Sequence, residues 1–592
     1  MSAARRVSIS ATCPERRLGR TLCEAGLLAT LRFLVGQYPQ YRVPLLLLVL
    51  LGLVGSLAES FGVSLIVLLL GMLISGDIVQ VGGALGDLYA MTLRVAGADN
   101  RVVAALVFGF ILTKIAASIA YGLLSSWLRH SISEEVRARL FQIYLDMPFP
   151  SFKSFEQGTL HETLALHSWA VADALAKYAR IGANICSIVV FAVFVAVLSL
   201  PAAIIAAIGS ALMIALMGPL GRRGAALGEA SLKANAVLTG QTLAELQAMR
   251  TIRAFARESW ASRRFRMASR SARSRFEAIE RLQIIVYPLT EIGYLLLLVA
   301  VALSSAAVGI SNAATLAAVL LLYRLQPHLR ELESNRLALA GHSASTDLVR
   351  HFLQQRWKGD ASPAKPYRGI GDGITFEGVT FRHETGTPLI DDFRAIIPSS
   401  GLTIISGPSG SGKTTIINLL LRLYEPQRGR ILIGGEPIAA IARRDWLAHV
   451  AIAGQDIDLI PGDIAQNIRF GRFNASEEEL WRAAEKAGLA ETIRKMPGGL
   501  KTPVGERGTS VSGGQRQRIG LARALVRNPD ILILDEATNA VEHQLEAKIL
   551  EGILQDRVGK ITILITHRNI DLLKSAVVVS LNEGKGRRGP SD

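Results

Sequence analysis

Two short stretches in the second half of this 592-residue chain carry residues whose types and spacing suit phosphate chemistry. Gly407-Pro-Ser-Gly-Ser-Gly-Lys413-Thr414 fits the pattern G-x-x-x-x-G-K-[ST], in which a glycine-rich backbone turns its N–H groups toward phosphates. In that pattern Lys413 reaches the β- and γ-phosphates and Thr414 holds Mg2+. Ser409, Gly410, Gly412 and Thr415 complete the candidate contacts to a nucleotide's phosphates. The second stretch, DILILDEAT, ends an apolar run on Asp535 and Glu536. Asp535 is the candidate metal ligand, and Glu536 the candidate base that orients and deprotonates a water. Paired carboxylates at a strand end are also ordinary surface charge; the phosphate loop in the same chain favours the catalytic reading. A third stretch, VSGGQRQR from Val511 to Arg518, is glycine-paired and far from the loop in sequence. A chain that already cradles phosphates at one place needs a reason for it.

The elements around these residues must hold them still. LTIISGPSGSGKTTIINLLLRLY reads as strand, loop and helix, so the loop opens onto a helix N-terminus, itself an anion site. Ile531 to Leu534 reads as a buried strand that delivers Asp535. Short β-branched runs alternate with helical ones throughout this half, the pattern of a mostly parallel α/β domain. The Pro/Gly-rich stretch DASPAKPYRGIGDG, Asp360 to Gly373, reads as a linker. The expected division is residues 1–345 in a membrane domain, 346–373 in the linker and 374–592 in the nucleotide-binding domain.

The first half is of another kind. Hydrophobic residues make up 50% of the chain and charged ones 19%, too apolar for an ordinary soluble protein. Six apolar runs account for this: Val43–Ser75, Val102–Leu128, about 181–200, Ala202–Leu220, about 284–310, and 313 to about 325. Pro201 marks the turn between the third and fourth. The sixth is the weakest, because Arg324, Gln326 and His328 crowd its end. The fold class expected is a helical six-span membrane domain followed by a mixed α/β P-loop NTPase domain. Between spans, ISEEVRARLFQIYLDM and LTGQTLAELQAMRTIRAFARE space apolar residues helically, so the spans continue as helices past the membrane. MPFPSFKSFEQGTL, Met147 to Leu160, is Pro-broken and reads as the tip of the first connection.

Lys plus Arg number 65 against 49 for Asp plus Glu, a net charge of +16. Much of that excess lies before the first span and in the connections between spans two and three and four and five, where Arg129, Arg137, Arg222, Arg263 and Arg270 stand. The opposite loops are short or acidic. The positive-inside rule then puts both termini in the cytoplasm of a multi-pass protein of the inner (plasma) membrane. The charge is explained by loops beside anionic membrane lipids, and no aromatic-interleaved basic motif points to nucleic acid. Cys13, Cys23 and Cys186 are too few and too scattered for a disulfide framework or metal cluster. The first apolar run starts too late for a signal peptide.

On these motifs the chain resembles an ATP-binding-cassette (ABC) exporter half-transporter over nearly its whole length. The resemblance answers the question raised by VSGGQRQR. Ser512-Gly513-Gly514-Gln515 is similar to the family's signature, preceded by Val511 where Leu is more usual. In that family two cassettes face each other head to tail, and one chain's signature closes on the γ-phosphate held by the other. The implied partner is a second copy of this chain, with ATP bound between. The resemblance also implies that Gln455 in IAGQDIDLI senses metal and lies against the membrane-domain tips. It implies that His567 in LITHR contacts the γ-phosphate and holds the catalytic carboxylate. TPVGERG, Thr502 to Gly508, resembles a loop that meets the same tips. The fused order, membrane domain then cassette, implies an exporter. Two positions depart from the family. The adenine-stacking aromatic, usually Tyr, is His383, which stacks with less area. The Ser-Ala-Leu-Asp after the catalytic Glu reads Asn539-Ala-Val-Glu542, which bears on coupling between the two ATP sites.

Three functions fit: an ATP-driven exporter or flippase working as a homodimer, a membrane protein that ATP only gates or regulates, and one half of a heterodimer. Intact Glu536, His567 and signature residues favour the first. Candidate substrate-cavity residues are Glu59, Lys114, Asn184, Tyr287, Glu291 and Tyr294, since charges inside spans are expensive. The alternative is that Glu59 or Glu291 pairs with Lys114 for structure alone. About forty residues precede the first span, too few for a peptidase domain, which disfavours leader-cleaving peptide export. A mature peptide and a lipid or lipid-linked glycan remain as substrate classes.

Overall fold

The computed structural model describes residues 36–75, 90, 94, 99–155, 157–307, 312–355, 365–383, 388–454, 457–505, 508–537, 543–566, 576–582 and 585–587. The chain forms two compact units, Met1–Leu145 with Phe155–Arg356, and Asp146–Ser154 with Trp357–Asp592.

Helices make up the first unit: α1 Arg42–Ser75, α2 Asn100–Asp146, then, beyond the short α3 Phe149–Ser154, α4 Gln157–Glu162, α5 Ser168–Leu198, α6 Leu200–Gln247, α7 Met249–Ala254, α8 Glu258–Ala307 and α9 Asn312–Gln354. Among the described residues five helices are long and apolar enough to cross a membrane: Pro39–Val67, Arg101–Asp146, Gly158–Val197, Leu200–Leu220 and Glu258–Ser304. The sixth expected span is helical, within α9, but is not one of these five; polar Arg324, Gln326 and His328 lie in the same stretch. α2, α6 and α8 hold 47, 48 and 50 residues. At about 1.5 Å per residue each exceeds twice the ~30 Å hydrocarbon core, so these helices run far past it, as their periodicity predicts. The break between α5 and α6 falls at Ser199, whose hydroxyl caps Ala202 N–H at 3.3 Å, and Pro201 sits in the first turn of α6. α9 continues to Gln354, into the stretch read as linker from sequence.

Lipid-facing helices gain little from hydrophobic burial against each other, so they associate through close packing. A methyl on Gly52 of α1 would lie 2.5 Å from Ala183 Cβ of α5, which shows how near those two backbones come. The α6–α8 pair is interlocked both ways: Leu297 of α8 fills the space over Gly209, and Met213 of α6 fills the space over Gly293. Inside α1 the Ser64 hydroxyl donates to Ser60 O of its own helix at 2.9 Å, a bond for which lipid offers no substitute.

In the second unit the first stretch is α3, which follows a break at Met147–Pro148. The rest is an α/β domain on two sheets. Strands β1 Ile374–Phe381, β2 Ile390–Ile397, β4 Arg428–Ile433 and β5 Glu436–Pro437 form an antiparallel sheet ordered β2-β1-β4-β5. Strands β3 Gly401–Ser406, β6 Val450–Ala453, β7 Ile531–Asp535, β8 Ile561–Ile565, β9 Val577–Asn582 and β10 Lys585–Arg587 form the second, ordered β10-β9-β3-β8-β7-β6. Its pairs are parallel except β10 with β9. β8 and the first four residues of β7 are buried on both faces, the mark of central parallel strands. The helices are α10 Lys413–Leu420, α11 Arg443–Ala448, α12 Ile464–Arg469, α13 Glu477–Lys486, α14 Ala490–Arg494, α15 Gly513–Val526 and α16 His543–Asp556. One core fills the space between the two sheets and α10, with Phe376, Ile417 and Trp446 at its centre; another joins α12, α13 and α15 to the large sheet through Ile468, Leu480 and Ile519. The antiparallel sheet is the part of this domain that strand-and-helix alternation does not forecast.

Candidate nucleotide site

The phosphate loop joins the C-terminal end of β3 to α10. Gly410 and Gly412 have φ of 82° and 97°, the left-handed region that a side chain resists, and Gly412 is the residue on which α10 starts. Lys413 is buried, and its Nζ donates to the carbonyls of Gly407 and Pro408 at 2.7 and 2.9 Å. An ammonium satisfied by its own loop is positioned to exchange those carbonyls for phosphate oxygens. Ser411 Oγ is buried without a hydrogen-bond partner among the described residues. An orphaned donor beside a buried cation and a helix N-terminus is what a loop shaped for phosphate presents. Ser411 occupies a variable position of the motif, so the pattern does not single it out. Ser409, Gly410 and Thr414 are exposed, and Thr415 is buried in the first turn of α10.

Asp535 ends β7, paired with Ile565 of β8. Burial pushes its carboxyl above the usual carboxylate range, the charge of Glu536 adds to the rise, and Lys413 opposes it. A half-buried carboxylate whose charged form is disfavoured suits a divalent cation. Glu536 turns out of the strand with φ of 52°, uncommon for a residue with a side chain. Its N–H donates to Ile565 O at 3.1 Å, which fixes the turn to β8. Such strain survives where the surrounding structure enforces it, often at working sites. His567, two residues beyond Ile565, lies outside the described residues, as do Gln455, Asn539–Glu542, and Glu506 and Arg507 of TPVGERG.

Ser512 caps α15 through a reciprocal box. Its Oγ accepts from Gln515 N–H at 3.3 Å, and Gln515 Oε1 accepts from Ser512 N–H at 2.8 Å. Ser512 and Gly513 are exposed, while Val511 beneath them is buried in the core. Val511 thus keeps the buried contact a leucine would make, with one methylene less. α15 packs on β6, the edge strand, which stands three places from β3. At roughly 4.8 Å per strand, that is about 14 Å across the sheet from the strand that carries the phosphate loop.

One hub escaped the motif reading. Asn467 of α12 is fully buried. Its Oδ1 accepts from Ile460 N–H at 3.0 Å and Arg523 Nη2 at 2.8 Å, and its Nδ2 donates to Ile460 O and Asp463 O at 2.9 and 3.0 Å. Arg523 of α15 also donates to Asn467 O and Asp458 O. Asn467 therefore ties the segment after Gln455 to the helix that carries Ser512. The nearest sequence signal is the capping box of α12, Asp463 with Gln466.

His383 follows β1 and packs edge-on to Phe381 and Tyr424, with centroids 5.2 and 5.7 Å apart. Phe149 of α3 meets the same Tyr424 at 6.1 Å. The His383 ring is exposed and free to take a flat ligand on one face.

A family model described as ABC transporter matches residues 390–539, and one described as ABC transporter transmembrane region matches residues 45–326. The chain belongs to the ABC transporter family. Its relatives include the Bacillus subtilis ABC transporter ATP-binding protein YwjA, 37% identical over 39% of this chain and 40% of its own length. The heterocyst differentiation ATP-binding protein HepA of Nostoc is 27% identical over 78% of this chain and 79% of its own. The Rhizobium etli β-(1→2)glucan exporter NdvA is 38% identical over 37% of each. The chain thus spans less than half the length of two of these three relatives. A bacterial Atm1-family ABC exporter with ATP bound shares the fold, with a TM-score of 0.78 over 93% of this chain and 95% of its own at 22% identity. In this ABC transporter the multi-pass helical unit and the ATP-binding cassette stand in one polypeptide.

In the membrane unit of this transporter, Lys114 Nζ lies 2.7 Å from Glu59 Oε1, and Arg324 Nη1 lies 3.3 Å from the same oxygen. Glu59, not Glu291, is therefore the partner of Lys114; Glu291 is exposed on α8. Asn184 Oδ1 lies 3.3 Å from His328 Nδ1. Tyr294 lines a small cavity with Ser210, Leu322 and Gln326. The side chain of Tyr287 lies outside the described residues.

Proposed function

We propose that this ABC transporter is an exporter or flippase of the inner membrane, driven by ATP hydrolysis, working as a symmetric pair of identical chains with both termini in the cytoplasm. The observation that carries the reading is the placement of Ser512. It opens a 14-residue helix with an exposed, capped N-terminus, an anion site on a helix packed against the edge strand β6, three places across the sheet from the strand bearing its own phosphate loop. A second copy related by a two-fold axis brings that site to the phosphates held by the first.

Within each site Lys413 exchanges the carbonyls of Gly407 and Pro408 for phosphate oxygens. Thr414 and Asp535 hold Mg2+, joined by Gln455. ATP supplies the phosphoanhydride whose cleavage drives the cycle. Glu536, fixed by its backbone bond to β8, orients the attacking water and takes its proton, and His567 holds that carboxylate. His383 stacks on adenine with less area than a tyrosine.

The test uses crosslinked mixed dimers carrying Glu536→Gln in both chains to stop turnover. Ser512→Arg in one chain and Lys413→Ala in the other damage the same composite site and leave the second whole. Both lesions in one chain damage both sites. Tightly held nucleotide should be about one per dimer in the first arrangement and about none in the second, because the bulky arginine excludes the signature from the γ-phosphate. Equal retention in the two arrangements rules out the head-to-tail pair. A purified chain that neither pairs with itself nor hydrolyses ATP would instead favour half of a heterodimer.

A further inference from the structure

Polar residues recur on facing sides of four helices in the membrane unit. Contacts place them in three layers about one helical turn apart. In the first, Glu59 of α1 meets Lys114 of α2 and Arg324 of α9. In the second, Asn184 of α5 meets His328 of α9, and one turn along α5, toward the first layer, Ser187 meets Ser56 of α1. In the third, Arg180 of α5 pairs with Glu331 of α9 and stacks its guanidinium over Tyr121 of α2, 4.7 Å from the ring centre. The spacings agree: Arg324, His328 and Glu331 follow i, i+4, i+7 on α9, and Arg180, Asn184 and Ser187 do so on α5.

The first layer is the unusual one. Glu59 lies inside the apolar span Pro39–Val67, about 12 Å along the helix from its nearer end. One carboxylate there faces two cations, so the layer carries a net positive charge where charge is expensive. Glu59 is 11% exposed, whereas Lys114 and Arg324 are 38% and 51% exposed. The carboxylate is enclosed and the cations are open to a ligand. Two buried donors nearby lack partners among the described residues: Ser60 Oγ, on the residue after Glu59, and Asn184 Nδ2, one layer below. A purely structural ion pair needs neither the second cation nor unpaired donors.

From this we infer that Lys114 and Arg324, held by Glu59, form an intramembrane site for an anionic group, a phosphate or carboxylate, of the transported substrate. Glu59 sets the geometry of both cations and competes with the ligand for them. The unpaired donors of Ser60 and Asn184 then accommodate the ligand's remaining oxygens. This rests on the exporter reading above, because only a transporter needs a charged ligand so deep in its spans.

The experiment uses the full chain in neutral phosphatidylcholine nanodiscs, with fluorescence binding of two anionic probes. One is a pyrene-labelled phosphatidic acid in the bilayer, the other a soluble dansyl-Glu-Glu dipeptide; dansyl-Lys-Lys is the control. Binding of the first alone identifies a lipid phosphate, and of the second alone a soluble carboxylate. Binding of both leaves the anionic group as the shared determinant. Lys114→Gln and Arg324→Gln should each weaken binding about tenfold, one charge-assisted contact apiece, and Arg324→Lys should largely restore it. Glu59→Gln should tighten binding, because it frees both cations from their competitor. A structural ion pair predicts the opposite sign for Glu59→Gln, loss alongside the other two. Failure of both anionic probes, equal binding of dansyl-Lys-Lys, or weakening by Glu59→Gln overturns the inference. Basal ATPase activity of the same samples, abolished by Glu536→Gln, reports separately on the exporter reading. Should Glu59→Gln fail to fold, the contrast between Arg324→Gln and Arg324→Lys still decides.

Discussion

Asn467→Ala removes a fully buried amide on which two separate parts of the cassette meet. Four hydrogen bonds go with it. Asp463 O keeps the backbone N–H of residue 467, at 3.1 Å, and Arg523 keeps Asn467 O and Asp458 O. Three groups are left worse off: Ile460 N–H, Ile460 O and one N–H of the Arg523 guanidinium, which burial already makes harder to keep charged. Buried groups that lose their partner cost about 1–3 kcal/mol each. Partial relaxation and entry of one water into the vacated space bring the expected total to about 3 kcal/mol. For a domain of this size that is a fall in Tm of about 6–12 °C, measured on the purified full chain in detergent by scanning fluorimetry. Asn467→Asp keeps the acceptor for Ile460 N–H and Arg523 but turns an oxygen toward two carbonyls, so it should also destabilise. A shift under about 2 °C for Asn467→Ala would mean that Asn467 does not brace the segment to α15.

Glu536→Gln should retain ATP binding and lower turnover at least about a hundredfold, measured as phosphate release; near wild-type turnover removes Glu536 as the base. Lys413→Ala should instead weaken ATP binding itself, read by nucleotide titration of the same preparation. Gly412→Ala should destabilise the loop by about 1–2 kcal/mol and weaken ATP binding, because φ is 97° and the added methyl would lie 3.0 Å from Ile390 Cγ1. An unchanged affinity would mean the loop adapts at no cost. His383→Tyr should lower the Kd for ATP relative to a nucleotide with a smaller base, and an unchanged ratio argues against stacking at this position.

Much of this protein was determined by sequence alone. The glycines and Lys413 of the phosphate loop are spaced by the chemistry of phosphate binding, whatever surrounds them. Long apolar runs follow from the absence of water in a bilayer, which forces the backbone to bond within each helix. The helical reading of the long connections held for the same local reason, their 3.6-residue periodicity. Other features needed the fold. Asn467 is one polar residue among many in the sequence; only packing of α12 on α15 shows that it is buried and fully bonded. The antiparallel sheet, whose strand β1 leads to His383, joins two local pairs, β1 with β2 and β4 with β5, through the distant pairing of β1 with β4, which local propensity does not encode. Glu536 was legible as a carboxylate, but its left-handed turn is imposed by the bond to Ile565 on the neighbouring strand. Sequence also left Lys114 with two candidate partners. The packing of α1 against α2 and α9 places Glu59, and not Glu291, beside Lys114 and Arg324. Which charges meet inside a membrane is set by which helices pack and in what register, and that is a property of the tertiary structure.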